Sequence, residues 1–240
     1  MSFSNVYDDP ERAAAYAQLE FPGTYQLAYR DLPALLREHA IGTEAVDFGC
    51  GAGRSTRFLT GLGFHAIGLD ISGDMIALAK RRDPDGDYRV IADGDFSGLP
   101  ARGFGLVQSV FTFDNVPCRK RKVSLFSGLR DLLDAHGRLV SFVSSPEIYV
   151  NEWASFTTKR FTANHAAKAG DFVYTEMTDI PDHRPVQDVL WPHEDYLDVY
   201  ARAGLEVVAE HRPLGRDDEG IAWVSETRVA PWVIYVLKAA

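Results

Sequence analysis

The sequence predicts an α/β fold. Its centre is a doubly wound, mostly parallel seven-stranded sheet with an antiparallel last strand, N-terminal helices ahead of it and an inserted lid after strand five. Three observations carry this expectation. Strand-like and helix-like stretches alternate from residue 44 to residue 145, the pattern of parallel strands joined by crossover helices. A glycine loop, Gly49-Cys50-Gly51-Ala52-Gly53, stands between the first strand and the first helix of that series. The C-terminal end holds two apolar runs joined by a polar loop with no helix between them, so they can pair as an antiparallel hairpin.

The elements follow in order. Residues 9–20 and 24–40 read as two helices, the first opened by Asp9-Pro10, with a Pro-Gly turn between them. Because they precede the first strand, they are expected to pack over the ligand end of the sheet. "EAVDFG" is strand one and "RSTRFLTGLG" the helix after it. "HAIGLDIS" is strand two, and the helix "GDMIALAKRRD" is entered through Ser72. "DYRVIADGD" and "GFGLVQSVFTF" are strands three and four. "RKVSLFSGLRDLLDA" is a helix stopping near Gly137, and "GRLVSFVSS" is strand five. After Ser145 the rhythm breaks into a long aromatic and polar segment in which "DFVYTEMTDI" and "PVQDVLW" alternate like a hairpin. Segments of this length are usually functional, so it is read as a lid rather than a decoration. The core then resumes with the helix "HEDYLDVYARAGL" and the strands "EVVAEHRPLG" and "PWVIYVLKA". The domain expectation is N-terminal cap helices at 1–40, a core at 41–145 and 190–240, and an insert at 146–189.

A strand, a glycine loop and a helix N-terminus together suit a nucleotide-like ligand, since backbone N–H groups point at the loop and no Cβ blocks the approach. The spacing decides between two readings. A dinucleotide fingerprint needs a glycine at position 54, where Arg54 stands. The stretch is instead Asp-x-Gly-x-Gly-x-Gly from Asp47 to Gly53. It resembles motif I of the class I S-adenosylmethionine (SAM) dependent methyltransferases, which have a Rossmann-like sheet, and it is similar to the small-molecule type among them. The resemblance covers most of residues 40–145 and 190–240.

The resemblance implies a cofactor site. Asp47 and the loop at Gly49, Cys50, Gly51 and Gly53 would hold the amino-acid end of SAM. Asp70, ending strand two and followed by Ile71, would accept both ribose hydroxyls, as two carboxylate oxygens suit a vicinal diol. After strand three an acid and its neighbour would border adenine; counting back from Leu99-Pro100 gives Asp95 and Phe96, with Asp93 the competitor. Backbone carbonyls near Ser109 and Val110 would receive the methionine ammonium. A nicotinamide-dependent oxidoreductase and a SAM-binding protein without transfer are the alternatives.

Composition bounds the partners. The 240 residues are 46% hydrophobic with a formal net charge of −9, which disfavours phosphate backbones. The basic run Arg119-Lys120-Arg121-Lys122 reads as a solvated helix face. Two cysteines, Cys50 and Cys118, suggest neither a disulfide scaffold nor a metal site. No apolar run reaches membrane-spanning length, and a cytoplasmic protein is expected. The acceptor is expected to be a small, partly apolar molecule of specialised metabolism rather than nucleic acid or membrane. Asp114, after strand four, is the first choice for a base or positioning group, with Tyr16, Tyr25 and Arg30 beside it. Glu20 and, from the insert, Tyr149, Trp153 and His165 are the other candidates for the acceptor wall.

Overall fold

The computed structural model describes residues 23–240. The strands of the main sheet are β1 (Glu44–Phe48), β2 (His65–Asp70), β3 (Asp87–Val90), β4 (Phe104–Val110), β5 (Leu133–Ser144), β9 (Leu205–His211) and β10 (Trp232–Ala239). Three short strands of the insert lie between them in sequence: β6 (Phe156–Thr157), β7 (Phe172–Met177) and β8 (Val186–Val189). The helices are α1 (Gln26–Arg30), α2 (Leu32–His39), α3 (Arg54–Gly61), α4 (Gly73–Arg82), α5 (Arg119–Leu132) and α6 (His193–Arg202).

The main sheet has seven strands in the order β3-β2-β1-β4-β5-β10-β9. β1 pairs in parallel with β2 and β4, setting Val46 against Ile67 on one side and Val107 on the other. β10 lies antiparallel between β5 and β9. The seven-stranded α/β architecture with one antiparallel insertion is the expected one. Order reverses at β1 and β4, which place their C-terminal ends side by side. An open α/β sheet receives ligands at such a switch point.

The structure departs from the sequence reading at three points. The single helix at 24–40 is a 3-10 turn (Gly23–Tyr25) followed by α1 and α2. Pro33 has no N–H to give the Tyr29 carbonyl, which the Asp31 N–H takes instead. These segments do more than cover the ligand end: Leu27, Ala28, Leu32 and Leu36 share a core with Ala45, Leu59, Leu106, Phe142 and Ile234 on one face of the sheet. Finally, α5 stops at Leu132 rather than near Gly137, and β5 begins at once, its Leu133 paired with Phe104. The opposite face of the sheet is covered by α5 and α6, with Phe126, Leu129, Tyr196 and Tyr200 packed on Val107, Leu139 and Tyr235.

The insert forms its own sheet, in the order β6-β7-β8, with β7 antiparallel to both neighbours. Its apolar side chains, Trp153, Phe156, Val173 and Met177, join the same core as α1. β8 packs on the 3-10 turn Thr112–Asn115 that follows β4. Glu226, fully buried, adds a polar tie: it accepts hydrogen bonds from Thr24 Oγ1 and from the N–H groups of Ala154, Val224 and Ser225. Among the described residues no helix is long and apolar enough to cross a membrane.

Candidate active site

The loop after β1 is held from below by Asp47. Its carboxylate is fully buried and accepts from Ser55 Oγ (2.6 Å), Thr56 Oγ1 (2.7 Å) and Gln108 Nε2 (3.4 Å). Those three donors fix the first turn of α3 and the neighbouring strand to the end of β1. Burial raises the Asp47 pKa, and the hydroxyl donors oppose that rise. Asp70 closes the loop from the side, accepting from Gly51 N (2.9 Å) and Ser72 N (2.8 Å). Ser72 itself caps α4 through Met75 N, as its position predicted.

All three loop glycines have positive φ, yet they serve different neighbours. A Cβ on Gly49 would strike the Thr112 side chain, and one on Gly53 would come within 2.9 Å of the Tyr88 ring. A Cβ on Gly51 would meet nothing within 4 Å. The bare backbone of Gly51 therefore faces open space. Space is available there because a cavity of about 410 Å³ lies above the loop, lined by Phe48, Gly49, Gly51, Asp70, Ile71 and Met75 and closed by Asp93, Val110, Phe111 and Leu125. That volume is in the range of small-molecule sites.

Phe111 stands between two cavities. It has φ +61°, a backbone conformation uncommon for a residue with a side chain, and one that persists only where surroundings hold it. Its N–H donates to Phe142 O (3.0 Å) and its ring packs 4.5 Å from that of Trp232. Held this way, Phe111 lines the large cavity and also a second one of about 40 Å³. Asn115 is shared between the two as well. The small cavity is otherwise lined by Tyr25, Phe156 and Trp232, by Asp114 and Ser144, and by Asp188 of β8.

Charges around the small cavity are buried and interact. Asp114 accepts from Ser144 N through both oxygens (3.2 and 3.0 Å) and from Tyr196 Oη (3.3 Å). Lys122 donates to the Phe113 carbonyl and lies 5.1 Å from the rings of both Trp191 and Tyr196. Burial pushes Asp114 up to about 6, against the pull of Ser144 and Lys122. Burial also draws Lys122 down to about 7, and Asp114 opposes that. Asp188 accepts from Tyr149 Oη at 3.2 Å. Burial, then the nearby Asp114 charge, raises it to about 7.

Residues 46–141 match the model of a methyltransferase domain. That segment of the chain is thus similar to the methyltransferase domains that use SAM. A curated relative, the dTDP-3-amino-3,6-dideoxy-alpha-D-glucopyranose N,N-dimethyltransferase of Streptomyces fradiae, is 30% identical over 145 residues, covering 60% of this chain and 52% of that protein. An 18S rRNA (guanine-N(7))-methyltransferase of Arabidopsis thaliana is 41% identical over 75 residues, 31% of this chain and 26% of that protein. The chain thus spans about half the length of the first relative and about a quarter of the second. Among solved structures, a SAM-dependent methyltransferase from Clostridium acetobutylicum matches with a TM-score of 0.62 at 12% identity, covering 98% of this chain and 96% of that one.

SAM is the cofactor of this methyltransferase family, and the residues present fit it. The open approach at Gly51 suits a ligand that must touch main chain, and the Asp70 carboxylate stands at the rim where a diol would meet it. Ile71, Met75 and Leu125 give the same cavity the apolar walls that a purine needs. When bound, SAM supplies a methyl group carried on a sulfonium sulfur.

Several residues singled out in the sequence sit elsewhere. Asp47 does not line the cavity, because its oxygens are taken by Ser55, Thr56 and Gln108. Cys50 and Gly53 face the protein interior rather than the cavity: Cys50 shares a core with Ile76, Ala79 and Tyr88. Both cysteines are free thiols. Asp93, not Asp95, lines the cavity; the exposed Asp95 accepts from Ser97 N (3.0 Å). Phe96 packs on Phe48 and would collide with any Cβ at Gly128, so it supports the cavity wall from behind. Val110 lines the cavity, whereas Ser109 is buried in the sheet between Phe48 and Ser141.

On the acceptor side, Tyr16 and Glu20 lie outside the described residues. Tyr25 and Asp114 line the small cavity. Arg30 is far from it, bound to Asp31, Glu219 and the Leu214 carbonyl, so it ties α1 to the loop before β10. Trp153 is core of the insert, its Nε1 donating to Ile148 O (2.8 Å). His165 is exposed on a 3-10 turn and reaches neither cavity. Tyr149 contributes through Asp188 rather than as a wall. The basic run is a solvated face only in part: Lys120 is exposed, but Arg119 pairs with Asp195 and Asp198, Arg121 with Asp93, and Lys122 is fully buried. Lys122 and Asp188 were missed. A lysine in a basic run and an aspartate between Gln187 and Val189 carry no local signal of burial.

Proposed function

We propose that this protein transfers a methyl group from SAM to a small-molecule acceptor held in the small cavity. The observation that carries this reading is the junction at Phe111 and Asn115. There a glycine-loop cavity of cofactor size abuts a smaller one lined by aromatic rings and carboxylates. In-line displacement needs donor and acceptor aligned and water excluded. The chain's own contributions divide accordingly. Gly49 and Gly51 would present main chain to the amino-acid end of the cofactor, Asp70 would accept from its ribose, and Asp93 with Ile71 would border adenine. Phe111 and Asn115 would set the direction of approach, and the insert would exclude water.

A small acceptor is favoured over nucleic acid because the net charge is −9 and Arg119, Arg121 and Lys122 are engaged within the protein. The amino-sugar methyltransferase among its relatives, with the apolar cavity walls, supports a reaction of specialised metabolism. Calorimetric titration with SAM, followed by incubation with carboxylic, phenolic and amine metabolites and mass spectrometry of the products, tests the reading. A methylated product with matching S-adenosylhomocysteine is expected. SAM binding with no product from any acceptor would favour a binding protein without transfer. NADH binding without SAM binding would overturn the cofactor assignment.

A further inference from the structure

We propose that Asp188 is the acceptor's proton-accepting anchor, and that the acceptor presents a basic amine between Asp188 and the aromatic wall of the small cavity. This rests on the methyltransferase reading above. Asp114, the residue the sequence favoured, is already committed: its oxygens take the Ser144 N–H and the Tyr196 hydroxyl, and its charge is met by Lys122. Among the described residues Asp188 accepts a hydrogen bond only from the neutral Tyr149 phenol, and it lines the same cavity from the insert. Two carboxylates and one ammonium leave a net negative charge in a buried place. Such a charge takes up a proton or is met by a cation.

Four of the remaining wall residues are aromatic, beside the aliphatic Ile148, Met177 and Val186. The Arg54 guanidinium lies 4.9 Å from the Tyr25 ring, so the other rings are the ones left to receive a cation. Tyr25, Phe111, Phe156 and Trp232 pack against one another with ring centroids between 4.5 and 6.1 Å apart, and all four line the cavity. Ring faces attract ammonium groups by their quadrupole. A carboxylate acceptor would instead set a third negative charge beside Asp114 and Asp188. At about 40 Å³ the cavity holds little more than a head group, so recognition falls on the nitrogen and its first carbons.

The step balances without another reactant. The bound ammonium gives one proton to an Asp188 carboxylate oxygen. The freed nitrogen lone pair forms the new N–C bond as the methyl carbon's bond to the donor sulfonium breaks, that electron pair remaining on sulfur as a thioether. The product amine carries the positive charge, and the proton on Asp188 passes to solvent. Burial and the nearby Asp114 raise Asp188 towards neutrality, while Tyr149 and Lys122 oppose the rise, which suits a group that must take and release a proton near pH 7.

The test uses the full chain saturated with S-adenosylhomocysteine. Propylamine, cyclohexylamine and benzylamine, each beside its alcohol, are titrated by calorimetry at pH 8 and pH 6 into the unaltered protein and Asp188→Asn. At least one amine should bind ten-fold or more tighter than its alcohol, with the advantage shrinking at pH 6. Asp188→Asn should remove that advantage and leave S-adenosylhomocysteine affinity unchanged. Equal binding of amines and alcohols, no amine binding, or an amine advantage that survives Asp188→Asn would overturn the proposal while the cofactor reading stands. The amine–alcohol contrast in the unaltered protein holds whether or not the variant folds. Failure of the unaltered protein to bind S-adenosylhomocysteine would overturn the parent reading, and this one with it.

Discussion

Asp188→Asn should make the protein more stable at pH 8. The carboxylate is held in a place where its charged form is disfavoured, raised to about 7 from an ordinary 3.8. A group raised in the folded state contributes stability that is fully present below the unfolded value. That contribution is lost as pH climbs through the folded one. Above pH 7 the folded protein therefore carries a penalty that the unfolded chain escapes. The difference between the two values sets a ceiling of about 4 kcal/mol. Asp114 and Lys122 share the titration, so about 2 kcal/mol is the working expectation. Asparagine keeps the shape and can still accept from Tyr149. For a chain of this length, that corresponds to a rise of about 4–8 °C in melting temperature. Thermal unfolding followed by circular dichroism, without cofactor, at pH 4.5 and pH 8 measures it. The gain should be large at pH 8 and small at pH 4.5. A loss of stability at pH 8, or a difference that does not change with pH, would refute the reasoning.

Other substitutions probe the rest of the site. Gly51→Val should abolish SAM binding measured by calorimetry, since the side chain would fill the approach and strain a residue at φ +54°. Asp70→Ala should weaken SAM by about 1.5–3 kcal/mol, the range for a charge-assisted hydrogen bond; unchanged affinity would show that Asp70 only shapes the loop. Asp47→Ala should lower stability in urea denaturation by about 2–4 kcal/mol by orphaning Ser55, Thr56 and Gln108. Glu226→Ala should cost about 3 kcal/mol, since four donors lose one buried acceptor; a loss below about 1 kcal/mol would show that those donors find new partners.

The frame of the large cavity was largely legible because its elements are local. β1, the glycine loop, α3 and the acid ending β2 are consecutive, and alternating strand and helix patterns order them. Asp93 rather than Asp95 lines that cavity, since turn geometry rather than residue type decides which carboxylate faces inward. The surroundings of the small cavity were poorly legible. Asp114, Lys122, Tyr149, Asp188 and Tyr196 meet across many tens of residues, and none stands in a pattern that reveals its neighbours. Arg30 and Trp153 were chosen for their residue types; the structure spends each on holding its own segment in place. The buried Glu226, which fastens three segments, looks in the sequence like any surface glutamate.

The two cavities differ in how their walls are recruited. The large one draws all its walls from successive loops between Phe48 and Leu125, while the small one gathers Tyr25, Ile148, Phe156, Asp188 and Trp232 from stretches scattered along the chain. A mutation in the insert can therefore reshape the small cavity while leaving the residues that line the large one unchanged. On that account, exchanging residues 146–189 for those of another methyltransferase should redirect selectivity while the affinity for SAM stays where it was.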